Sequence, residues 1–222
     1  MTATFRPVVH PGQSDTLVHF CSRGRDSKAQ THAHLAPVER LESILRTMRL
    51  DAFPPHGADH PVVCLSESAI AGVESLLAGQ MWAPWGVVLC RSWVWDQGGG
   101  PVWYVRDDVT SSARKALDAR TNAWLVRTKP GDADWLHERE WRVPCEPSSP
   151  HLSLYGGALV AILVGDPNWT PPLGLAIEPH PMTGEPIEVG RSNPKHSVPR
   201  WWWDGTRIVP LGPVPEQFNP EW

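Results

Sequence analysis

The chain has 222 residues, of which 41% are hydrophobic and 20% are charged, and its formal net charge is -4. This balance is typical of a globular protein and argues against general disorder. A net negative charge provides no field that would attract nucleic acid or an anionic membrane, so such contacts would need a local basic patch. The 24 prolines and 13 tryptophans favour short strands and ordered loops over long helices.

The four cysteines are widely spaced and form no CxxC pair, which argues against a zinc ribbon or a thioredoxin-type site. Cys64 and Cys90 lie inside apolar runs and are predicted to be buried thiols. Between Met1 and Pro11 there is no apolar segment typical of a signal peptide. No apolar run approaches the roughly 20 residues of a membrane helix. We therefore expect a cytoplasmic protein without a membrane span.

In chain order, residues 1–16 are predicted to be a polar lead-in, and residues 17–222 a single α+β domain with a Pro/Trp-rich C-terminal part. Apolar residues at helical or alternating spacing indicate the elements. The helices are predicted near residues 38–49, 68–78 and 112–126. The strands are predicted at residues 17–20, 62–65, 86–90, 102–105, 135–143 and 159–164. Residues 93–101 are predicted to be the glycine-rich connection of one hairpin, and residues 201–209 a second hairpin around Asp204-Gly205.

The segment 135–143 carries the most informative charges. If it is a strand, Glu138, Glu140 and Arg142 share one face, and the two carboxylates lie roughly 7 Å apart. One carboxylate could stabilise positive charge developing on a sugar carbon, while the other orients an incoming nucleophile. The alternative is a charged, solvent-facing edge strand, and the spacing alone favours that alternative.

Two further positions suit a polar ligand. Ser66-Glu67-Ser68 follows directly after the strand at 62–65, and hydroxyls at a strand end near a helix N-terminus can bind polar groups. Helix capping is the simpler alternative for these serines. His19 lies on the first strand and could position a ribose or a nicotinamide amide, or it could be structural.

Taken in order, His19, the triplet from Ser66 to Ser68, and Glu138-x-Glu140 resemble the motifs of the ADP-ribosyltransferase superfamily. The similarity is strongest to small bacterial toxin and phage-defence members, and it covers about residues 17–145. The resemblance implies a split, mixed β core flanked by helices, with NAD bound as a substrate in the cleft.

The resemblance also implies roles for individual residues. Glu140 would be the catalytic carboxylate that stabilises an oxocarbenium-like state, as in glycoside cleavage, and Glu138 would orient the acceptor. His19 would hold the ribose, and Ser66 would brace the site near Glu140. His19 and Ser66, together with Ser68, form the expected NAD-binding set.

The acceptor implied is a macromolecule or a nucleotide. The cluster of Arg23, Arg25 and Lys28 lies just after His19, so a nucleic acid or nucleotide is the expected contact there. A partner protein is also expected if the chain is a defence effector.

Two other functions stay open at this stage. The first is a non-catalytic binding or immunity protein with the same fold, which would use its Trp-rich surface. The second is a metal-dependent nuclease built from Asp107, Asp108 and Glu140, although the lysine of common nuclease cores is missing. Histidines at 32, 34, 56 and 60 could hold a metal, but surface histidines are the simpler interpretation, and no metal site is predicted.

Overall fold

The structure is a computed structural model that describes residues 13–22, 35–67, 69–155, 158–171, 174–179, 186–191 and 198–212. Ser68 and the basic cluster of Arg23, Arg25 and Lys28 lie outside the described residues. The elements in chain order are β1 (Thr16–Phe20), α1 (Pro37–Thr47), β2 (Arg49–Asp51), β3 (Val62–Ser66), α2 (Ile70–Ala78), β4 (Gly86–Cys90), α3 (Arg91–Asp96), β5 (Gly100–Pro101), β6 (Trp103–Arg106), α4 (Asp107–Ala116), α5 (Ala119–Asn122), β7 (Leu125–Thr128), a 3₁₀ helix (Leu136–Glu138), β8 (Glu140–Pro144), β9 (His151–Ser153), β10 (Leu159–Val164), β11 (Gly174–Pro179), β12 (Pro186–Arg191), β13 (Arg200–Trp203) and β14 (Ile208–Leu211).

Eight strands form one mixed sheet in the order β14-β13-β10-β4-β1-β3-β8-β5. Within this sheet β10 and β13 are parallel, whereas the other neighbouring strands are antiparallel. Three smaller pairs, β2-β9, β6-β7 and β11-β12, lie outside it. The prediction of a mixed α/β fold with helices around a large sheet is confirmed at this level.

Both faces of the sheet carry buried side chains, since successive side chains of a strand alternate between the two faces. On one face Leu17 packs in the same cluster as Leu41 of α1. On the other face Val18 packs with Val73 of α2. Each such side chain, when fully buried, contributes about 1.5–3 kcal/mol. The two clusters therefore identify which way every residue of β1 points.

Several predicted elements are confirmed. The first two helices occur at Pro37–Thr47 and Ile70–Ala78. The strands predicted at 62–65 and 159–164 both belong to the large sheet. The hairpin around Asp204-Gly205 is present, with Trp203 opposite Ile208. None of the helices in the described ranges is long and apolar enough to cross a membrane.

The helix predicted at 112–126 is wrong in extent. α4 ends at Ala116 because Leu117 has an extended backbone, with φ -113 and ψ 151. Asp118 then begins the short α5 by accepting a 2.9 Å hydrogen bond from the backbone nitrogen of Thr121. Residues 125–128 form β7, which pairs in parallel with β6. The buried Leu125 serves a strand there and not a helix face.

The predicted hairpin with a loop at 93–101 is also wrong. Residues 91–96 form α3, β5 pairs with β8, and β6 pairs with β7. Gly99 permits the chain to return against α3, since a Cβ at that position would lie 2.6 Å from Cγ1 of Val94. The expected strand partners are therefore separated by a helix.

All four cysteines are free thiols, but the prediction that Cys64 and Cys90 are buried is wrong. Cys64 is exposed and Cys90 is half-buried. On β3 the neighbours Val63 and Leu65 pack into the core, so Cys64 points to the opposite face. An apolar run on a strand does not place every one of its side chains inside.

Candidate functional site

The end of β3 and the start of β8 form the centre of the candidate site. In the antiparallel pairing of these strands Ser66 lies opposite Glu140, and Leu65 lies opposite Trp141. Directly opposed residues of such a pair project their side chains to the same face. Ser66 and Glu140 are therefore neighbours on one face of the sheet, although they are far apart in sequence.

The strand predicted at 135–143 is wrong in its first half. Residues 136–138 form a 3₁₀ helix, and Arg139 follows in the left-handed region with φ 44 and ψ 51. β8 begins only at Glu140. A left-handed residue reverses the chain direction locally and breaks the alternation of a strand. Glu138 and Glu140 consequently do not share a strand face as expected.

Glu138 is buried, with 5% of its surface exposed, and it contributes to the site through its backbone. The hydroxyl Oγ of Ser66 donates a 2.6 Å hydrogen bond to the carbonyl oxygen of Glu138. Ser66 thus connects β3 to the segment that leads into Glu140. It does not cap α2, whose N-terminal residue Ala69 has no side-chain cap.

His19 lies on β1, next to β3, but its side chain is on the other face of the sheet. Val18 is opposite Ser66, so the adjacent His19 points away from Ser66 and Glu140. Its partner on β4 is Val87, a member of the core cluster under α1. The expected convergence of His19 with Ser66 and Glu140 on one cleft does not occur, because neighbouring positions of a strand face opposite sides.

The environment of His19 is that of a neutral histidine. Its Nδ1 lies 2.9 Å from the carbonyl oxygen of Cys64. A carbonyl oxygen only accepts hydrogen bonds, so Nδ1 carries the proton. Burial lowers the pKa of His19 below its ordinary value, and the charge of Arg40 acts in the same direction, while the carbonyl of Cys64 opposes it.

Glu140 is the better supported of the two expected catalytic carboxylates. Its oxygens accept hydrogen bonds of 2.8 and 3.1 Å from Nε and Nη2 of Arg142, and both side chains are mostly buried. The guanidinium of Arg142 also donates to the carbonyl oxygen of Ala123. Burial by itself acts to lower the pKa of Arg142, but the charge and hydrogen bonds of Glu140 and Cys64 outweigh it and raise that pKa. Two hydrogen bonds therefore hold the carboxylate of Glu140 against Arg142.

Tyr104 fixes the backbone at the same point. Its phenolic oxygen accepts a 3.0 Å hydrogen bond from the backbone nitrogen of Glu140 and donates to the carbonyl oxygen of Trp135 at 3.4 Å. Burial raises the pKa of Tyr104, and the charges of Glu140 and Glu138 add to the shift. Tyr104 thus keeps its proton and holds the two ends of the 3₁₀ segment together.

Glu67 is a second buried carboxylate at this end of the sheet. Its Oε1 accepts a 3.0 Å hydrogen bond from Nη1 of Arg91, and its Oε2 accepts one of 2.9 Å from Nε1 of Trp141. Nη2 of Arg139 lies 3.8 Å from Oε2. Asp15 lies 3.6 Å from the far side of Arg91. Buried charges of this kind need such partners to be tolerated.

These groups surround a cavity of about 190 Å³ at the edge formed by β5 and β8. Of the expected site residues, Glu140 lines this cavity, whereas His19, Ser66 and Glu138 do not. Carboxylates, a guanidinium and a phenol meet an apolar wall there, which is typical of small-molecule sites. The lining residues are Glu67, Pro101, Tyr104, Leu136, Arg139, Glu140 and Trp141.

The nuclease-type metal site of Asp107, Asp108 and Glu140 gains no support from this geometry, and His32 and His34 lie outside the described residues. Across the ranges that the structure describes, no three His, Cys, Asp or Glu side chains come together to hold a metal ion. Asp107 is paired with Arg127 at 2.7 Å, and Asp108 with Arg106 at 3.1 Å. Both acidic residues of α4 therefore form surface ion pairs. Within the described ranges they do not combine with Glu140 into a metal site.

Comparisons with protein-family models, with curated proteins and with solved structures find no match. A function for this chain therefore rests on the geometry of the site and on the resemblance of its sequence motifs.

Sequence reasoning missed four of the lining side chains, namely Glu67, Tyr104, Arg139 and Trp141. The sequence does indicate one of them, because Glu67 lies between Ser66 and Ser68 at the end of a predicted strand. The other three are recognisable only in the folded chain. Pairing of β8 with β3 and β5 brings in Arg139 and Trp141, and Tyr104 of β6 reaches the site through its hydrogen bond to the backbone nitrogen of Glu140.

Proposed function

We propose that this protein is an ADP-ribosyltransferase-like enzyme that cleaves NAD and transfers ADP-ribose to a macromolecular or nucleotide acceptor, as a toxin or phage-defence effector would. One observation carries the proposal. Glu140 lines the cavity, and both oxygens of its carboxylate are held by the guanidinium of Arg142. It stands opposite Ser66, which anchors the backbone just before it.

The proposed chemistry uses this carboxylate electrostatically. The bond between ribose C1′ and the nicotinamide nitrogen breaks, and its electron pair leaves with nicotinamide. C1′ then carries positive charge, which the fixed carboxylate of Glu140 stabilises. The acceptor forms a new bond to C1′ and releases its proton to solvent. Glu140 supplies the fixed charge, and Ser66 and Tyr104 keep its backbone in place.

The size of the cavity limits which part of NAD it can hold. Pockets that enclose drug-sized ligands measure roughly 300–1,000 Å³, so about 190 Å³ accommodates only the reacting end of a dinucleotide. The apolar wall of Pro101, Leu136 and Trp141 suits a flat ring. Glu67 is the second carboxylate among the residues that line the cavity. The resemblance assigned the acceptor-orienting role to Glu138, which does not line it.

A second candidate function is a non-catalytic binding or immunity protein. The observation that favours it is the doubly hydrogen-bonded Glu140–Arg142 pair. In this alternative the pair only joins β8 to the segment around Ala123, and the cavity binds a ligand without cleaving it. The acceptor-side prediction for Arg23, Arg25 and Lys28 concerns residues outside the described ranges and stays a proposal under either function.

NAD turnover and thermal unfolding of three proteins separate the two functions. Glu140→Gln keeps the shape but removes the charge, so we expect turnover to fall about a hundredfold to a thousandfold. Its stability should also fall by about 1–3 kcal/mol, since a hydrogen bond between charged groups is lost. Arg142→Lys is the matched control because it disturbs the same ion pair but retains the carboxylate.

Arg142→Lys should therefore be destabilised to a similar degree. It should lose part of its turnover, since the carboxylate is less well oriented, but less than Glu140→Gln, which lacks the charge. Equal turnover in the wild type and in Glu140→Gln would remove Glu140 from the mechanism. NAD that stays intact with the wild-type protein, with and without nucleic acid as acceptor, would favour the binding protein.

A further inference from the structure

Arg139 is the one side chain of the cavity whose charge is only loosely matched by its described neighbours. Its Nη2 lies 3.8 Å from Oε2 of Glu67, which is too long for a hydrogen bond. Glu67 is already satisfied by shorter bonds to Arg91 and Trp141. The side chain of Arg139 is 42% exposed, compared with 8% for Glu67. The guanidinium of Arg139 is thus accessible to a ligand from solvent.

The backbone of Arg139 is held in place, although its side chain is accessible. Its φ of 44 lies in the left-handed region, where a residue with a Cβ costs roughly 1–2 kcal/mol. The carbonyl oxygen of Arg139 accepts a 3.0 Å hydrogen bond from the backbone nitrogen of Glu67, and its nitrogen donates to the carbonyl of Leu136 at 3.3 Å. These bonds fix the backbone of Arg139, which is one of the residues that line the cavity.

A guanidinium with this placement has a preferred ligand. It presents a planar fork of donors that matches the oxygens of a phosphate group, often with two parallel hydrogen bonds. A neutral ligand would provide no opposite charge to pair with the guanidinium of Arg139, and a cationic ligand would be repelled by it. The side chains of Glu67 and Glu140 are less exposed than that of Arg139, at 8% and 12% against 42%, and their carboxylates would exclude an anionic group from the interior of the cavity. An anion would therefore bind at the mouth, with the uncharged part of the ligand inside.

We propose that Arg139 binds the diphosphate of the nucleotide substrate and so positions the reacting ribose beside Glu140. The phosphate contact follows from the geometry of Arg139, whereas the choice of NAD as the bearer of the diphosphate rests on the proposed function. Arg139 is a binding residue in this proposal, and it takes no part in bond cleavage.

Calorimetric binding of ADP and of adenosine tests the phosphate contact without any requirement for catalysis. These two probes differ only in the diphosphate. We expect wild-type protein to bind ADP more tightly than adenosine, and we expect Arg139→Gln to weaken ADP binding by about tenfold to a hundredfold. Adenosine binding should not change. Arg139→Lys keeps the charge but loses the fork, so its affinity for ADP should be intermediate.

Arg106→Gln is the matched control, because it removes one positive charge from an exposed ion pair outside the cavity lining. Its affinity for ADP should equal that of the wild type. Raising the salt concentration should weaken ADP binding to the wild type and to Arg106→Gln but have little effect on Arg139→Gln, since screening acts on the charge that this variant lacks.

The proposal is overturned if ADP does not bind to the wild type, or if Arg139→Gln binds ADP as tightly as the wild type does. NAD turnover on the same samples distinguishes this result from failure of the proposed function. If NAD is cleaved with an unchanged KM in Arg139→Gln, the diphosphate contact is wrong and the enzyme stands. If ADP binds through Arg139 but NAD is not cleaved, the phosphate contact of Arg139 is supported and the proposed ADP-ribosyltransferase activity is rejected.

Discussion

The indole Nε1 of Trp141 donates a 2.9 Å hydrogen bond to Oε2 of Glu67, and this bond joins β8 to the residue that follows β3. The same carboxylate binds the buried guanidinium of Arg91. Glu67 therefore connects two strands of the sheet to the first residue of α3. Two residues that line the cavity, Glu67 and Trp141, are therefore held in place by this buried network.

Glu67→Gln should strongly destabilise the fold. Arg91 would lose its short-range counter-charge while it stays buried, and breaking a buried pair from one side costs about 3–5 kcal/mol. Chemical denaturation measures the change. Glu146→Gln is the control, since its pair with Arg120 is exposed on both sides and such pairs are worth at most about 1 kcal/mol. Equal effects of the two substitutions would show that the Glu67 network is not structural.

Ser66→Ala should reduce stability and NAD turnover together. It leaves the buried carbonyl of Glu138 without the 2.6 Å bond from Oγ, at a cost of about 1–3 kcal/mol. The segment before Glu140 would then be less well fixed. Ser112→Ala removes a comparable bond, from Oγ to the carbonyl of Val109, at an exposed site and should change stability by less than about 0.5 kcal/mol. Turnover that survives in Ser66→Ala would argue against a bracing role.

Tyr104→Phe tests the other support of Glu140. The variant keeps the ring but leaves the backbone nitrogen of Glu140 without its 3.0 Å acceptor, so the free energy of unfolding should fall by about 1–3 kcal/mol. Under the proposed function kcat should fall while KM for NAD changes little, because the phenol positions Glu140 and does not bind the diphosphate. Tyr155→Phe, at an exposed tyrosine, is the control. An increase in KM alone would place Tyr104 in ligand binding instead.

His19 should make the protein sensitive to acid. Burial lowers its pKa in the folded state, so the unfolded chain takes up the proton first, near the ordinary value of about 6.5. The free energy of unfolding should therefore decrease as the pH falls below about 6.5, until the pH reaches the lowered pKa of the folded state.

Asparagine at position 19 can donate to the carbonyl of Cys64 in place of Nδ1 but does not titrate. His19→Asn should therefore show a smaller loss of stability between neutral pH and pH 5 than the wild type, measured by denaturation at each pH. His137→Gln, at an exposed histidine of the 3₁₀ helix, should retain the acid sensitivity of the wild type. The same pH dependence in His19→Asn and the wild type would contradict the assignment of a half-buried neutral imidazole.

The order of residues determined most of the sheet. Period-two and helical patterns located β1, β3, β4 and β10 and the first two helices, because burial of one face imposes a local period that can be counted. The same patterns failed at residues 112–126, where Leu125 and its neighbours suit a helix face as well as a strand. Only the pairing of β7 with β6 decided between them.

The site depended on the tertiary structure to a greater degree. Glu140 and Ser66 were identified from sequence, and β3 and β8 do bring them side by side. The register places His19 on the opposite face, because one position along a strand exchanges the two sides. The left-handed backbone of Arg139 separates Glu138 from Glu140. A sequence indicates the period of a strand, but its phase and partners are decided by contacts between segments that are distant in the chain.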